Sequence, residues 1–240
     1  MKVLAIDTSS TSATCAIIHE DKLLVEYTLN HKLTHSQKIM PIIQEALEGC
    51  ELKVSDIDIF AVAKGPGSFT GLRIGVATIK GLAQAVNKSV VGIPTLDALA
   101  FNLPYCEGIV VPVMDARRDR VFTAIYKWTN GNLHIIKEQT VLEIEELIDI
   151  LKERPETVVF VGDGTLVYKQ RLTEELGEKA RFAPKSANMA RASSVAELAM
   201  AKAKEGKVES FLDLAPDYLR ESQAQREYKE KHSLSGDRDE

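Results

Sequence analysis

Cysteine is scarce: Cys15, Cys50 and Cys106 are the three in 240 residues. They are odd in number, widely separated and form no C-x-x-C pair. That argues against a disulfide framework or a cysteine zinc site, and the three read as free thiols in a reducing compartment. Long apolar runs are missing too. Nothing approaches the roughly 20 residues of a membrane span, and the apolar stretch in the opening MKVLAID is too short for a signal peptide and is broken by Asp7. A cytoplasmic chain without membrane contact is expected. Excess positive charge is absent: the formal charge is −5 and the isoelectric point about 5.7, so the chain alone is not expected to grip nucleic acid.

Familiar catalytic motifs are also lacking. No G-x-S-x-G elbow presents a nucleophilic serine. His31 and His35 are four residues apart, but they precede a helix, and no glutamate stands where H-E-x-x-H requires one. Gly65-Pro66-Gly67-Ser68-Phe69-Thr70-Gly71 is not a Walker loop, because Thr70 stands where glycine is needed and no lysine follows. Its G-x-G-x-x-x-G spacing is one residue too long for a dinucleotide fingerprint. No catalytic residue and no metal ligand is assigned.

What is present is an ordinary globular composition, 45% hydrophobic and 27% charged, with room for two lobes of about 100 residues. The chain also repeats itself. Val3–Ile6 is a short apolar run ending in Asp7, followed by a polar turn and two more β-rich runs. A helix is expected over Ser36–Cys50, with Pro41 tolerable only in or near its first turn. A buried strand over Ile57–Ala63 then opens into the glycine loop and a helix over Phe69–Val86. From Ile109 the plan recurs: an apolar run ending in Asp115, a polar turn, a hairpin at Asn130-Gly131, an amphipathic helix, a strand over Val158–Val161 and a second glycine loop, Gly162-Asp163-Gly164. Ala16-Ile17 begins nine residues after Asp7, and Ala124-Ile125 nine after Asp115. The predicted class is α/β: duplicated β-β-β-α-β-α units forming the two-lobe actin-like ATPase (ribonuclease H-like) fold. Residues 1–104 are expected as the N-terminal lobe, completed by part of 214–228. Residues 105–213 form the second lobe and 229–240 a disordered polar tail.

Two sets of residues could carry function. A strand-end aspartate with a tight turn after it can hold a hydrated metal and cradle phosphate oxygens on backbone N–H groups. Asp7, Thr8 and Ser9 have that outline, with Gly65 and Gly67 at the facing strand-to-helix junction. The first turn lacks glycine, so any such nucleotide site is expected to be vestigial. The second set lies on the two N-lobe helices. Ile39, Ile43, Ala46 and Leu47 on the first belong to an apolar arc wider than a core stripe. The second carries Ile74 and Leu82, with Gly71, Gly75 and Thr78 allowing close approach of another backbone. A partner surface is expected there.

VLAIDTSS, HSQKIMPII, AVAKGPGSFTGLRIGVATIKGLA, GIPTLDALA, VMDARRDRVFTAIY, GDG and PDYLR together resemble the TsaB family, over most of the chain up to about Arg220. GPGSFTGLRIG and DARRDRVF are the specific segments. The resemblance implies the same actin-like fold. It also implies a non-catalytic role beside TsaD, which transfers a threonylcarbamoyl group to the adenosine next to the anticodon in tRNAs reading codons that start with A. TsaD carries an H-x-x-x-H metal pair; Thr95 and Leu99 stand at those places here, and neither side chain replaces an imidazole. The implied partners are TsaD, through the N-lobe helices, and the ATPase TsaE. A homodimer is implied when the chain is alone, and tRNA is met only within the complex. No intrinsic cofactor is implied, and a nucleotide only at the interface of the assembled complex. The alternatives are a small-molecule kinase or ATPase using Asp7 as metal carboxylate, or a peptidase.

Overall fold

In the computed structural model, residues 1–30 and 35–219 are described. His31 and the expected disordered tail lie outside them. The first unit opens with an antiparallel meander of β1 (Lys2–Asp7), β2 (Ala13–His19) and β3 (Lys22–Leu29), followed by α1 (His35–Gly49). Then come β4 (Ile59–Gly65), α2 (Phe69–Val86), β5 (Ser89–Pro94) and α3 (Thr95–Phe101). The second unit has the meander β6 (Ile109–Asp115), β7 (Arg120–Thr129) and β8 (Asn132–Glu143), then α4 (Ile144–Lys152), β9 (Val158–Val161), α5 (Gly164–Leu176), β10 (Ala180–Phe182) and α6 (Ala192–Lys204). The strand orders are β3-β2-β1-β4-β5 and β8-β7-β6-β9-β10. In each sheet the meander is antiparallel, and the last two strands run parallel to the first. The duplication read from the sequence is therefore real down to the strand order. β1 and β6 are central and covered on both faces, which is why they read as unbroken apolar runs rather than alternating ones.

The sheets exchange their covering helices. α1 and α2 cover one face of the first sheet, with Ile39, Ile43, Ala46, Val76 and Ile79 packed on Leu4, Ile6, Phe60 and Val62. The other face is covered by α6, whose Val195, Ala196, Ala199 and Met200 meet Val3, Ala5, Ala61 and Val91. α4 and α5 cover one face of the second sheet. On its other face Leu96, Leu99 and Ala100 of α3 meet Val110, Met114 and Phe122. Residues 105–213 are thus not one lobe: α6 leaves that range to serve the first sheet, and α3 reaches from 1–104 onto the second sheet while its Ala98 stays in the first core. The fit is steric, because the alanine-rich helix meets a sheet face lined by Ala5, Ala61 and Ala63, and small residues on both sides let backbones approach at interior packing density.

Past α6 the chain returns along the β5 edge. Val90 and Glu209 form a β-bridge, Lys80 Nζ donates to the Leu212 and Leu214 carbonyls at 3.1 and 3.0 Å, and Leu214 is buried in the first core. α1 begins one residue before the expected start, and Pro41 lies in its second turn rather than its first, where it withholds the N–H that the carbonyl of Gln37 would otherwise receive. α3 starts at Thr95 with Pro94 at the cap position. Among the described residues no helix is long and apolar enough to cross a membrane.

Candidate functional site

β1 ends in Asp7, and the Ser9 N–H donates to its Oδ1 at 2.8 Å, the closure expected where Asp starts a turn. Asp7, Thr8 and Ser9 are all buried. β4 delivers the facing junction, where Ser68 caps α2 by accepting the Gly71 N–H at 3.3 Å. The two turns are welded together. Ser68 N–H donates to the Ser9 carbonyl at 2.6 Å, and Thr8 Oγ1 donates to the Gly71 carbonyl at 2.8 Å. A Cβ on Gly71 would overlap the Thr8 carbonyl oxygen, one on Gly75 would lie 2.5 Å from Thr8 Oγ1, and one on Gly67 2.8 Å from Ser9 Cβ. Gly65 faces elsewhere, against the carbonyl of Asp217.

The structure thus brings Asp7, Thr8, Ser9 and Gly67 together and leaves Gly65 apart. The concavity that would receive a phosphate is filled by the protein's own backbone. The space beyond the first turn is a cleft between the lobes of about 100 Å³, with Ser9, Ser10, Ser12 and Asn30 facing Asp163 and Asn188. Small-molecule sites run to about 300–1,000 Å³, so this cleft as it stands is smaller than such a site. Across the cleft Asp163 Oδ1 accepts the Asp115 N–H at 3.3 Å. Burial first, and the nearby Asp115 charge as well, hold the Asp163 carboxyl above the usual range. Thr95 and Leu99 are both buried, and among the described residues no three His, Cys, Asp or Glu side chains group to hold a metal.

The chain matches the family described as TsaD, tRNA N6-adenosine threonylcarbamoyltransferase, over residues 22–228. The Bacillus subtilis protein named tRNA threonylcarbamoyladenosine biosynthesis protein TsaB is 35% identical over 229 residues, 95% of this chain and 98% of that one. The chain belongs to the TsaB family. YeaZ from Pseudomonas aeruginosa superposes with a TM-score of 0.75 at 25% identity, covering 91% of this chain and 99% of that one. Component A of the Acidaminococcus fermentans (R)-2-hydroxyglutaryl-CoA dehydratase, at TM-score 0.50 and 13% identity over 85% of this chain and 99% of that one, shares the fold alone. The two-lobe actin-like architecture follows.

In this TsaB-family chain the GPGSFTG segment serves packing between β1, β4 and α2. That corrects the expectation for part of the helix pair. Gly71 and Gly75 admit a close backbone, but it is the chain's own first turn. Ile39, Ile43, Ala46 and Leu47 are buried in the first lobe's own core. The wide apolar arc of α1 arises because the helix touches both the sheet and α2. Ile74, Thr78 and Leu82 are half-buried on the outer side of α2. Between them lie Ala77 and Gly81, which the sequence reading missed, and Ala85; all three are exposed, as are Pro41 and, at 47%, Met40 on α1. Their signal was available, because Ala77, Gly81 and Ala85 repeat every four residues and so share one helix face.

Proposed function

We propose that this chain is a non-catalytic subunit in the biosynthesis of threonylcarbamoyladenosine in tRNA. It binds and activates the transferase TsaD, acts together with the ATPase TsaE, and holds no nucleotide or metal of its own. The observation that carries this reading is the outer face of α1 and α2. Met40, Pro41, Ala77, Gly81 and Ala85 stand in water there, next to half-buried Ile74, Thr78 and Leu82. Ile74 and Leu82 also pack against the chain's own core, but the exposed small and apolar residues beside them face water and suit a helical partner. Among the described residues no atom beyond the neighbouring backbone of its own helix lies within 4 Å of where a Gly81 Cβ would stand, so a second helix has room to come close.

The family match extends to TsaD itself, so TsaD offers an equivalent pair of helices, and the two pairs meet about a pseudo-twofold axis as a four-helix bundle. The same strip joins two copies of this chain when TsaD is absent, since a twofold contact reuses one surface. tRNA is met only in the assembled complex, and any nucleotide lies at the interface of that assembly.

Ala77→Glu and Gly81→Leu both alter exposed positions and leave thermal unfolding near wild type. Each is expected to weaken TsaD binding at least about tenfold, roughly 1.4 kcal/mol, and to lower tRNA modification in reconstituted complex. Wild-type affinity for TsaD in both variants overturns the proposed surface. ATP hydrolysis by the purified chain alone, lost in Asp7→Ala, overturns the non-catalytic reading.

A further inference from the structure

The stretch 214–219, on the chain's return past α6, is held from both lobes. On the first, the Asp217 N–H donates to the Lys64 carbonyl at 2.7 Å. Gly65 makes room for this crossing, because a Cβ there would overlap the Asp217 carbonyl oxygen. From the second lobe, Gln139 Nε2 donates to Asp217 Oδ2 at 3.4 Å, and Leu219 packs on the apolar cluster of α3 and the second sheet. Between these anchors Tyr218 stays 40% exposed, at the start of α2.

There Tyr218 holds an arginine. Its ring stacks on Phe69, the first residue of α2, with centroids 4.6 Å apart. The Arg73 guanidinium lies 4.0 Å from the centre of the Phe69 ring, and Arg73 Nε donates to Tyr218 Oη at 3.1 Å. Stacking and a hydrogen bond restrict a side chain that otherwise samples many rotamers. Yet Arg73 is exposed, and among the described residues it has no ion pair and no other hydrogen bond. Its own helix offers it no counter-charge, because Phe69–Val86 contains no Asp or Glu. Lys80, the other cation of α2, already donates to the Leu212 and Leu214 carbonyls. The Nη groups of Arg73 thus form a preset fork of the kind that binds a carboxylate.

Arg73 stands one helical turn before Ala77, in the row that continues through Gly81 and Ala85, so it edges the exposed strip of α2. We infer that Arg73 is the polar anchor of that strip and takes a carboxylate from the facing helix of TsaD, with Tyr218 as the residue that positions it; this rests on the strip being the TsaD surface. A small and apolar centre with arginine and tyrosine at its edge has the composition of protein interfaces and their hot spots. A helix seated on Ala77 and Gly81 carries its own side chains past Arg73, about 5.4 Å along the axis. Ala77 and Gly81 let that helix approach but do not fix its register, and a charge pair at the rim does. Gly65 and the segment Pro216–Leu219 gain a role by the same geometry, since they bring Tyr218 to α2.

Titration calorimetry of the full chain with TsaD, in buffer free of phosphate and nucleotide, tests this. Arg73→Gln should leave thermal unfolding near wild type and weaken binding at least about fivefold, with affinity less sensitive to salt than in wild type. Arg73→Glu should bind more weakly still, and one Asp or Glu on the facing TsaD helices, changed to Arg, should restore at least about threefold of that loss. Tyr218→Ala should weaken binding at least about twofold in the wild-type chain and add nothing in Arg73→Gln, because it acts through the guanidinium. Gly81→Leu separates the anchor from the surface. Wild-type affinity in Gly81→Leu overturns both, whereas weak binding by Gly81→Leu beside wild-type affinity in Arg73→Gln overturns the anchor alone. The inference also fails if no TsaD charge change rescues Arg73→Glu, or if the Tyr218 and Arg73 losses are additive. A loss in Arg73→Gln that emerges only when nucleotide is added would mean that Arg73 meets a phosphate, and would overturn it as well.

Discussion

The turn after β1 and the turn after β6 occupy equivalent places in the two halves and close in the same way. Ser9 N–H meets Asp7 Oδ1 and Arg117 N–H meets Asp115 Oδ1, both at 2.8 Å. Beyond that bond they diverge. The first turn is buried and locked on α2 through Thr8 and Ser9. The second stands in water, left-handed and cationic. The helix that follows decides the outcome. α2 brings Gly71 and Gly75 to the first turn, whereas the equivalent contact of α5, through Gly164, falls on Val113, two residues before the end of β6. A duplicated unit keeps its strand-closing chemistry because that chemistry is local. What the turn can then do is set by what packs on it.

The glycines give the largest test of this contrast. Gly71→Ala forces a methyl group into the Thr8 backbone, and about 3 kcal/mol of stability should be lost. Gly164→Ala meets Val113 Cγ1 at 2.7 Å and its carbonyl oxygen at 2.8 Å, a milder overlap costing about 1–2 kcal/mol. Denaturant titration of both variants measures the gap, and equal losses would remove the distinction between the turns. By the same logic Ile43→Glu and Gly75→Leu should unfold the chain rather than only release a partner, since both side chains would enter the first core.

The exchanged helices should respond oppositely to acid. α6 is held to the first sheet by Glu26, which accepts from Arg191 Nη2 at 2.6 Å and from Ser193 N–H and Oγ–H at 3.0 and 2.7 Å. Burial pulls the Glu26 carboxyl upward, but the Arg191 and Ser193 hydrogen bonds prevail and hold it below the usual range. Its contribution is therefore complete above the unfolded value of about 4.3 and is lost as pH falls through the lower folded value. On α3, Asp97 Oδ1 accepts from Tyr126 Oη at 2.7 Å, yet burial dominates and raises the Asp97 carboxyl. Its contribution is complete below the unfolded value of about 3.9 and is lost as pH rises through the higher folded value. At neutral pH, Glu26→Gln should cost about 2 kcal/mol, discounted for the partly exposed Arg191, and should flatten the acid limb of the stability profile. Asp97→Asn should be within about 0.5 kcal/mol of wild type at neutral pH and should make that limb slightly steeper, because the offset that a protonating Asp97 gives is lost. Urea unfolding across the acid range separates the two, and an acid limb unchanged in Glu26→Gln would refute the assignment.

The smallest effect is expected at the strained turn. Arg118→Asn should raise stability by about 0.5 kcal/mol, because Asn tolerates the left-handed region better than Arg. A loss instead would mean that the Arg118 side chain supports the turn it sits on.

The residues that were legible from sequence are those whose signal is local. Asp7 and Asp115 end apolar runs, and their turns follow from a hydrogen bond spanning two residues. The boundaries of α2 follow from Ser68, which can cap, and from the apolar period up to Val86. From such pieces the repeated order, the actin-like class and the family were reached without coordinates. The tertiary structure decided what is non-local. Gly71 meets Thr8, 63 residues away, so sequence could register a close approach but not name the neighbour. The arc of α1 showed how much of the helix is apolar, but not that the sheet and α2 share it and leave Met40 outside. Nor does an alanine-rich helix specify its sheet: small side chains fit any flat face of small residues, and α6 found that face on the first lobe because it was the one left uncovered there.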